Sequence, residues 1–254
     1  MNDAFGIARE GAIVTITLTN PARRNALSLD VMRSLVGALR EIAGTDARGV
    51  VIAAEGPAFS AGHDFADMAG ADFAAVQQLF DVCTELMDTI QAIPQIVVAR
   101  VHAIAAAAGC QLAASCDLVV AAESAGFALS GVKRGLFCHT PLVAVARNVG
   151  RKRALEMALT GDVVDARTAA DWGLVNRVVP DEQLDDAVAD LIGRATGDSA
   201  WTKSMGKRAF YAQVDLDQPK AYAYAVEVMA NGVLAAPGQE GIAAFLDKRP
   251  PKFE

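Results

Sequence analysis

Three short apolar runs, separated by longer amphipathic segments, constrain the fold of this chain most strongly. The run Gly49-Val50-Val51-Ile52-Ala53-Ala54 has no polar side chain, and residues 96–101 and 118–122 are similar apart from Arg100. Strands that are apolar on both faces are typical of a parallel sheet covered on both sides. Parallel strands need long connections, most often helices. The sequence therefore predicts an α/β fold.

The segments around the first apolar run indicate a strand and two helices. Residues 12–18 alternate in the manner of a strand with one apolar face. Ser28 is a suitable N-cap for a helix that Gly44 ends. A second helix is predicted from about residue 72 to residue 90, before Pro94.

Helical patterns dominate the second half of the chain. We predict a short helix over 109–115 and another that begins at Thr140-Pro141, with a capping hydroxyl and a proline in the first turn. From about residue 184 onward the strand pattern disappears. These patterns predict an α/β core over residues 1–195 and a helical region over residues 196–254.

Composition excludes several classes of function. The net charge of −7 argues against binding to nucleic acid, which needs clustered Lys and Arg. The most apolar stretch, residues 96–116, is interrupted by polar side chains and predicts no membrane span. The first ten residues lack a basic segment followed by an apolar one, so we expect no leader. The four cysteines have no CxxC spacing, which favours free thiols, no metal site and a cytoplasmic protein.

Two loops rich in small residues are candidate ligand sites. Residues 56–65 follow the apolar strand 49–54, and residues 105–111 join a strand to a helix. Ligands of α/β proteins bind outside the carboxyl ends of strands, and a helix N-terminus offers unpaired N–H groups. Two such loops could direct two backbone N–H groups at one carbonyl oxygen, as an oxyanion hole. The alternative is that small residues here only permit close packing.

A series of motifs in this order resembles the crotonase (enoyl-CoA hydratase/isomerase) superfamily over nearly the whole chain. The matching segments are Asn20-Pro21 through Asn25-Ala26-Leu27, Phe59-Ser60-Ala61-Gly62-His63-Asp64-Phe65, Gly109-Cys110-Gln111-Leu112-Ala113, Cys116-Asp117-Leu118, Leu159-Thr160-Gly161, Ala166 to Val175, and Ala244-Phe245-Leu246-Asp247-Lys248-Arg249. The details are most similar to the branch of enoyl-CoA hydratase domain-containing protein 3.

The resemblance implies a fold, an assembly and a ligand. The fold is a spiral of ββα units with a C-terminal helical region that packs a homotrimer, or a hexamer formed as a dimer of trimers. The ligand is an acyl-CoA thioester, bound as substrate with no other cofactor. Two backbone N–H groups hold its carbonyl oxygen, and by position these belong to His63 and Ala108. The family has glycine where this chain has Ala108.

The residues that the resemblance implies for CoA binding form two groups. The first lies in the two N-terminal motifs and the second near the C-terminus. They are Arg23, Arg24, Ala26, Ala61, Gly62, His63, Asp64, Phe65, Phe245 and Lys248.

Two acid–base positions of the family are replaced here. The first family glutamate directly follows Gly-Cys, where this chain has Gln111, and the second aligns with Gly131. Neither residue titrates, whereas general acid–base catalysis needs a group that exchanges a proton near neutral pH. The sequence therefore argues against two-glutamate hydration.

Other residues remain candidates for moving a proton. Asp67 could reach the cavity or serve as a helix cap, and the His63 imidazole could act there or point away. Cys138 precedes the Thr140-Pro141 helix start, where a thiol could be activated. Gln111 could bind a substrate oxygen or a water. Three functions stay open: an enzyme that stabilises a thioester enolate in hydration or isomerisation, a decarboxylase, and a non-catalytic acyl-CoA binder.

Overall fold

The computed structural model describes residues 4–253 and contains two β-sheets surrounded by helices. Its strands, in chain order, are β1 (Phe5–Glu10), β2 (Ile13–Leu18), β3 (Gly49–Ala54), β4 (Ala58–Ser60), β5 (Ile96–Val101), β6 (Ile104–Ala106), β7 (Leu118–Ala122), β8 (Gly126–Ala128), β9 (Val164–Asp165) and β10 (Arg177–Val179).

The helices connect these strands and then form the C-terminal part of the chain. They are α1 (Leu29–Ala43), α2 (Phe73–Ala92), α3 (Ala108–Ser115), α4 (His139–Val149), α5 (Arg151–Thr160), α6 (Ala166–Trp172), α7 (Leu184–Thr196), α8 (Ala200–Gln213), α9 (Gln218–Leu234) and α10 (Ala236–Leu246).

The larger sheet has the strand order β1-β2-β3-β5-β7-β10. Only the β1–β2 pair is antiparallel, and the other pairs are parallel. Every residue of β3 is buried, because the strand lies inside the sheet and is covered on both faces. The strands predicted at 49–54, 96–101 and 118–122 are confirmed with the same bounds.

The smaller sheet has the order β4-β6-β8-β9. Its strands β4, β6 and β8 each directly follow a strand of the larger sheet along the chain. Three successive units, β3-β4-α2, β5-β6-α3 and β7-β8-α4, each place one strand in each sheet before a helix. This repetition winds the chain into a spiral of ββα units. It also stacks the turns after β4 and β6 beside each other, because β4 and β6 pair in parallel.

Most predicted helix ends are confirmed. The Ser28 hydroxyl accepts a hydrogen bond from the Val31 N–H at 3.3 Å, and Gly44 ends α1. The prediction for α4 was wrong in one detail. The helix begins at His139, before Thr140, and its N-cap residue Cys138 makes no capping bond with its side chain. The Leu142 N–H donates to the Cys138 carbonyl oxygen at 3.0 Å, and this bond places the first helical turn before Thr140.

A buried polar cluster fastens α8 to the core. The Lys207 ammonium lies 2.7 Å from the Asp117 carboxylate and donates to the carbonyl oxygens of Ile90 and Gln95. Asp117 also accepts from the Tyr211 hydroxyl at 2.9 Å. Burial lowers the pKa of Lys207, and the carboxylate beside it opposes that shift. Since each charge is paired and hydrogen-bonded, the cluster avoids the large penalty of an isolated buried ion.

Candidate active site

The segment before α1 holds the first candidate loop in place. Asn25 is buried with a positive φ of 52°. Its amide donates to the carbonyl oxygens of Glu55 and Ala58, each at 2.8 Å, at the two ends of the β3–β4 turn. The Ser60 hydroxyl donates to the Asn25 carbonyl oxygen at 2.8 Å and accepts from the Gly62 N–H at 3.2 Å. The Asn25 amide and the Ser60 hydroxyl therefore fix the backbone of the loop.

Gly62 and His63 lie where this loop reaches the second one. The Gly62 carbonyl oxygen accepts from the Leu27 N–H at 2.8 Å, and the Asp64 N–H approaches the Leu27 carbonyl oxygen at 3.4 Å. This bridge between Leu27 and His63 uses the Gly62 carbonyl oxygen and the Asp64 N–H, and not the His63 N–H. Gly62 has a φ of +93°, a conformation that side chains disfavour. The bridge therefore leaves the His63 N–H available.

The second loop presents the Ala108 N–H at the start of α3. Ala107, just before the helix, has φ 50° and ψ −117°, which is unusual for any residue but glycine. Its N–H donates to the Ala128 carbonyl oxygen at 2.8 Å. The strained position is thus Ala107, whereas Ala108 itself is helical and tolerates its side chain. As the first helical residue, Ala108 has no carbonyl within the helix to bond to.

The two available N–H groups lie on adjoining segments. A Cβ added to Gly62 would lie 3.0 Å from the Ala108 nitrogen, and one added to Gly109 would overlap the Ser60 carbonyl oxygen. Within residues 4–253, neither the His63 N–H nor the Ala108 N–H has a hydrogen-bond acceptor. Unpaired backbone donors are rare in protein interiors. Their proximity is what an oxyanion hole requires.

Gln111, one turn into α3, is buried and contacts α2. Its Oε1 lies 3.7 Å from the Cys83 sulfur, within the range of a hydrogen bond to sulfur. Burial raises the pKa of Cys83 to about 12, so the thiol is protonated and donates. No pattern in the sequence selects Cys83, because it lies 28 residues earlier and its helix is otherwise amphipathic.

Gly131 is enclosed by the segment that follows it. A Cβ there would lie 2.6 Å from the Leu136 carbonyl oxygen and 2.8 Å from the Cys138 sulfur. The Gly131 N–H donates to that sulfur at 3.3 Å. Burial raises the pKa of Cys138, so the thiol at this helix start is protonated and not activated. The backbone around Gly131 thus has no room for a side chain unless Leu136 moves.

Both carboxylates of the first loop are engaged in structural bonds. Asp67 accepts from the Leu29 N–H at 2.7 Å and so caps α1 from outside the helix. Asp64 accepts from the Ala66 N–H at 3.0 Å and pairs with the Arg23 guanidinium at 2.9 Å. These bonds hold both carboxylates against the backbone and Arg23.

The His63 ring is covered. Its Nδ1 lies 3.4 Å from the Leu27 carbonyl oxygen, and its edge meets Phe80 at 5.3 Å between ring centroids. Its Nε2 is fully buried and has no partner among residues 4–253. Burial lowers the pKa of His63, so the ring is neutral at pH 7. If Nδ1 carries the proton, Nε2 is a base that solvent does not reach.

The structure brings only the first group of expected CoA contacts together. Arg24 and Ala61 are exposed and joined by a hydrogen bond from the Ala61 N–H to the Arg24 carbonyl oxygen at 2.9 Å. Ala26 is half-buried in the same segment, and Phe65 is exposed beyond Asp64. The second group, Phe245 and Lys248, lies at the end of α10, which packs on α9. Within residues 4–253 it has no hydrogen bond or ion pair to the two loops.

No arrangement of metal ligands accompanies this site: residues 4–253 contain no group of three or more His, Cys, Asp or Glu side chains placed to hold an ion. All four cysteines are free, as predicted, and all are buried. Of the helices described, none is long and apolar enough to cross a membrane.

The two-sheet spiral of ββα units defines a protein of the crotonase fold. The chain belongs to the enoyl-CoA hydratase/isomerase family, whose family model matches residues 8–254. Its relatives include enoyl-CoA hydratase domain-containing protein 3, mitochondrial, of Rattus norvegicus, which is 42% identical over 245 residues, 96% of this chain and 82% of the relative.

Solved structures agree with this assignment. A crystal structure of enoyl-CoA hydratase from Mycobacterium smegmatis superposes with a TM-score of 0.96 and 44% identity, and covers 99% of each chain. The human enoyl-CoA hydratase domain-containing protein 3 superposes with a TM-score of 0.94 and 39% identity, and covers 98% of this chain and 99% of that one. The expected fold and the resemblance to this branch of the family are confirmed.

Proposed function

We propose that the protein is an acyl-CoA enzyme that stabilises a thioester enolate between the backbone N–H groups of His63 and Ala108. The observation that carries the proposal is the pair of adjoining N–H groups that have no acceptor among residues 4–253. A thioester carbonyl gains negative charge on oxygen as an enolate forms. Preorganised donors stabilise that charge, and loss of one typically costs about 10²–10³ in rate.

Two-glutamate hydration does not fit this site. By resemblance, Gln111 and Gly131 occupy the positions of the family glutamates. A carboxamide does not exchange protons near neutral pH. At Gly131 a side chain would meet the Leu136 backbone at 2.6 Å. The backbone around Gly131 therefore leaves no space for a glutamate side chain at this position.

Decarboxylation is the reaction that needs the least acid–base help from the residues present. In a malonyl-type CoA ester, the bond between C2 and the carboxylate breaks, CO₂ leaves, and the electron pair remains as the enolate. Water can then return a proton to C2. The candidate proton carriers support this preference: Asp67 caps α1, Cys138 is protonated, and the His63 Nε2 is covered.

A non-catalytic acyl-CoA binder is the second candidate. The same engaged carboxylates and protonated thiols favour it, because a binder needs the two donors and no proton carrier. The two candidates differ in one outcome, which is product formation.

A panel of CoA esters separates them. The purified protein is incubated with 2-enoyl-, 3-enoyl- and malonyl-type CoA esters, and products are followed by mass. Loss of CO₂ from a malonyl-type ester is the expected result. Binding of these esters at micromolar concentration with no product from any of them would overturn the enzyme and leave the binder. A matched inactive control is Gly62→Ala, which places a methyl group against the Ala108 nitrogen.

A homotrimer, or a hexamer of two trimers, is part of the proposal. One face of α9 is strongly exposed and apolar, with Tyr222 at 65%, Val226 at 67% and Met229 at 68% of their full accessibility. Contiguous apolar surface of this kind marks an interface. Sedimentation should give a multiple of three times the 26.5 kDa chain mass, and a single-chain mass would contradict the assembly.

The compartment and the cofactor requirement stay predictions. The cysteines favour a cytoplasmic protein, whereas the name of the rat relative places that protein in mitochondria. The CoA thioester is proposed as substrate, with no resident cofactor.

A further inference from the structure

Gln111 is held by a contact that selects one orientation of its side-chain amide. Both Gln111 and Cys83 are buried, and Oε1 of the amide faces the Cys83 sulfur at 3.7 Å. This bond between α2 and α3 is the sole hydrogen bond of either side chain among residues 4–253. A thiol that keeps its proton is a donor, so it orients the carbonyl end of the amide toward itself.

The opposite end of the amide is then free. Its Nε2 has two N–H groups and no acceptor within the described part of the chain. Unlike the His63 Nε2, this nitrogen keeps some accessible surface within an otherwise buried side chain. Gln111 lies three residues after Ala108 on the same helix, and residues at this spacing lie on the same face. The free N–H groups are therefore candidates to contact a thioester whose carbonyl oxygen is bound at the Ala108 N–H.

We infer that Cys83 is a positioning residue that presents the Gln111 amide as a hydrogen-bond donor, and that the preferred ligands are CoA thioesters with an oxygen acceptor next to the thioester carbonyl. A ketone on C3 and a carboxylate on C2 share this chemistry. The inference rests on the proposed function, because it places the thioester at the His63 and Ala108 donors. It names the substrate class of that site.

The test compares three esters of similar size: butyryl-CoA without an acceptor, acetoacetyl-CoA with a ketone, and malonyl-CoA with a carboxylate. Dissociation constants are measured by calorimetry, and for an ester that is turned over the dissociation constant is taken from rapid mixing before product forms, so that the three values are of the same kind. Wild-type protein should favour an acceptor-bearing ester over butyryl-CoA about fivefold to tenfold, as expected for one hydrogen bond. Preference for acetoacetyl-CoA alone indicates a ketone, and for malonyl-CoA alone a carboxylate.

Variants assign the preference to the two residues. Gln111→Met should bring the ratio to about one, since the side chain keeps its size but loses its donor. Cys83→Ala should lower the ratio, and Cys83→Ser should restore it because a hydroxyl also donates. Cys116→Ala is the matched control: it removes a buried thiol bonded to the Leu112 carbonyl oxygen and should leave the ratio unchanged. If Gln111→Met does not fold, the isosteric Gln111→Glu serves, and it should reverse the preference for malonyl-CoA.

The outcomes separate the two proposals. If wild-type protein binds none of the three esters, the proposed function fails. If butyryl-CoA binds but wild-type protein has no preference, or if the preference survives Gln111→Met, only this inference is overturned. A Cys83→Ser variant that behaves like Cys83→Ala would remove the positioning role of the thiol.

Discussion

Gly62 packs directly against Ala108: a Cβ on Gly62 would lie 3.0 Å from the Ala108 nitrogen and 2.9 Å from the Ala107 Cβ. A side chain at Gly62 would therefore crowd the buried Ala108 nitrogen, which carries an unpaired N–H. The loops that carry them follow strands β4 and β6, which pair in parallel and end at the same edge of the smaller sheet. The pairing of these two strands thus brings the two loops together.

Gly62→Ala should strongly reduce acyl-CoA binding or turnover in a protein that still folds. The new methyl group would meet Ala107 and the Ala108 nitrogen, and a φ of +93° disfavours alanine. We expect a stability loss of about 1–3 kcal/mol from backbone strain, and a loss of about 10²-fold or more in rate from the displaced donor. Thermal unfolding and kcat/KM with an acyl-CoA ester measure the two effects.

The matched control is Gly70→Ala, whose glycine has a φ of +73° and no atom within 4 Å of an added Cβ. It should share the strain and keep the activity. Equal activity losses in the two variants would contradict a role for Gly62 in leaving space beside the Ala108 donor.

Ala107→Gly should stabilise the protein or leave its stability unchanged. Relief of the unfavourable φ of 50° and ψ of −117° contributes about 1–3 kcal/mol, and the greater freedom of glycine in the unfolded chain offsets about 0.5–1 kcal/mol. Ala107→Val should instead be destabilising, because a branched side chain fits this conformation poorly. Chemical denaturation compares both variants with wild type. An Ala107→Gly variant that is much less stable than wild type would show that the backbone is not strained.

Lys207→Met should destabilise the protein by about 3–5 kcal/mol, because it leaves the Asp117 carboxylate buried without its cation. Tyr211→Phe removes one hydrogen bond to the same carboxylate and should cost about 1 kcal/mol. Lys152→Met, at an exposed position of α5, controls for the loss of a lysine. Urea unfolding measures all three. Equal stability of the Lys207 and Lys152 variants would refute the role of the cluster.

His63 should make stability depend on pH in the acid range. Burial lowers the pKa of folded His63, whereas an unfolded histidine titrates near about 6.5. Above that pH both states are neutral and nothing is lost. As the pH falls from about 6.5 toward the lower pKa of the folded state, only the unfolded chain binds the proton, so stability decreases.

His63→Gln keeps the backbone N–H but removes this titration. Its free energy of unfolding should fall less than that of wild type between about pH 7.5 and about pH 5.5, by at most about 1.4 kcal/mol per pH unit. Parallel curves for the two proteins would contradict a buried neutral ring.

Much of the fold could be predicted from local patterns, because the buried strands and the N-cap of α1 carry their signals within a few residues. β1 lacks such a signal because it is an exposed edge strand in which five of six residues are outside the core. β4, β6 and β8 have three residues each, too few for a periodic pattern.

The site was predictable where its chemistry lies in the backbone of a motif, and less so where it depends on contacts between distant residues. The motifs point to the loops of His63 and Ala108 but give no sign that Ala107 adopts the unusual backbone conformation. The structure agrees with the helix-cap alternative for Asp67, but the sequence could not show that the helix is α1, since Leu29 lies 38 residues earlier. The burial of Lys207 could not be predicted, because the sequence does not distinguish a buried lysine from an exposed one.

Incubation with crotonyl-CoA tests most directly whether this protein binds acyl-CoA thioesters at two backbone donors without two-glutamate hydration. Binding is measured by calorimetry, and hydration is followed by loss of the enoyl absorbance. We predict binding of the ester at micromolar concentration and hydration several orders of magnitude below a typical enzyme median of about 10 s⁻¹. Hydration of crotonyl-CoA at that typical rate would contradict the absence of two-glutamate chemistry.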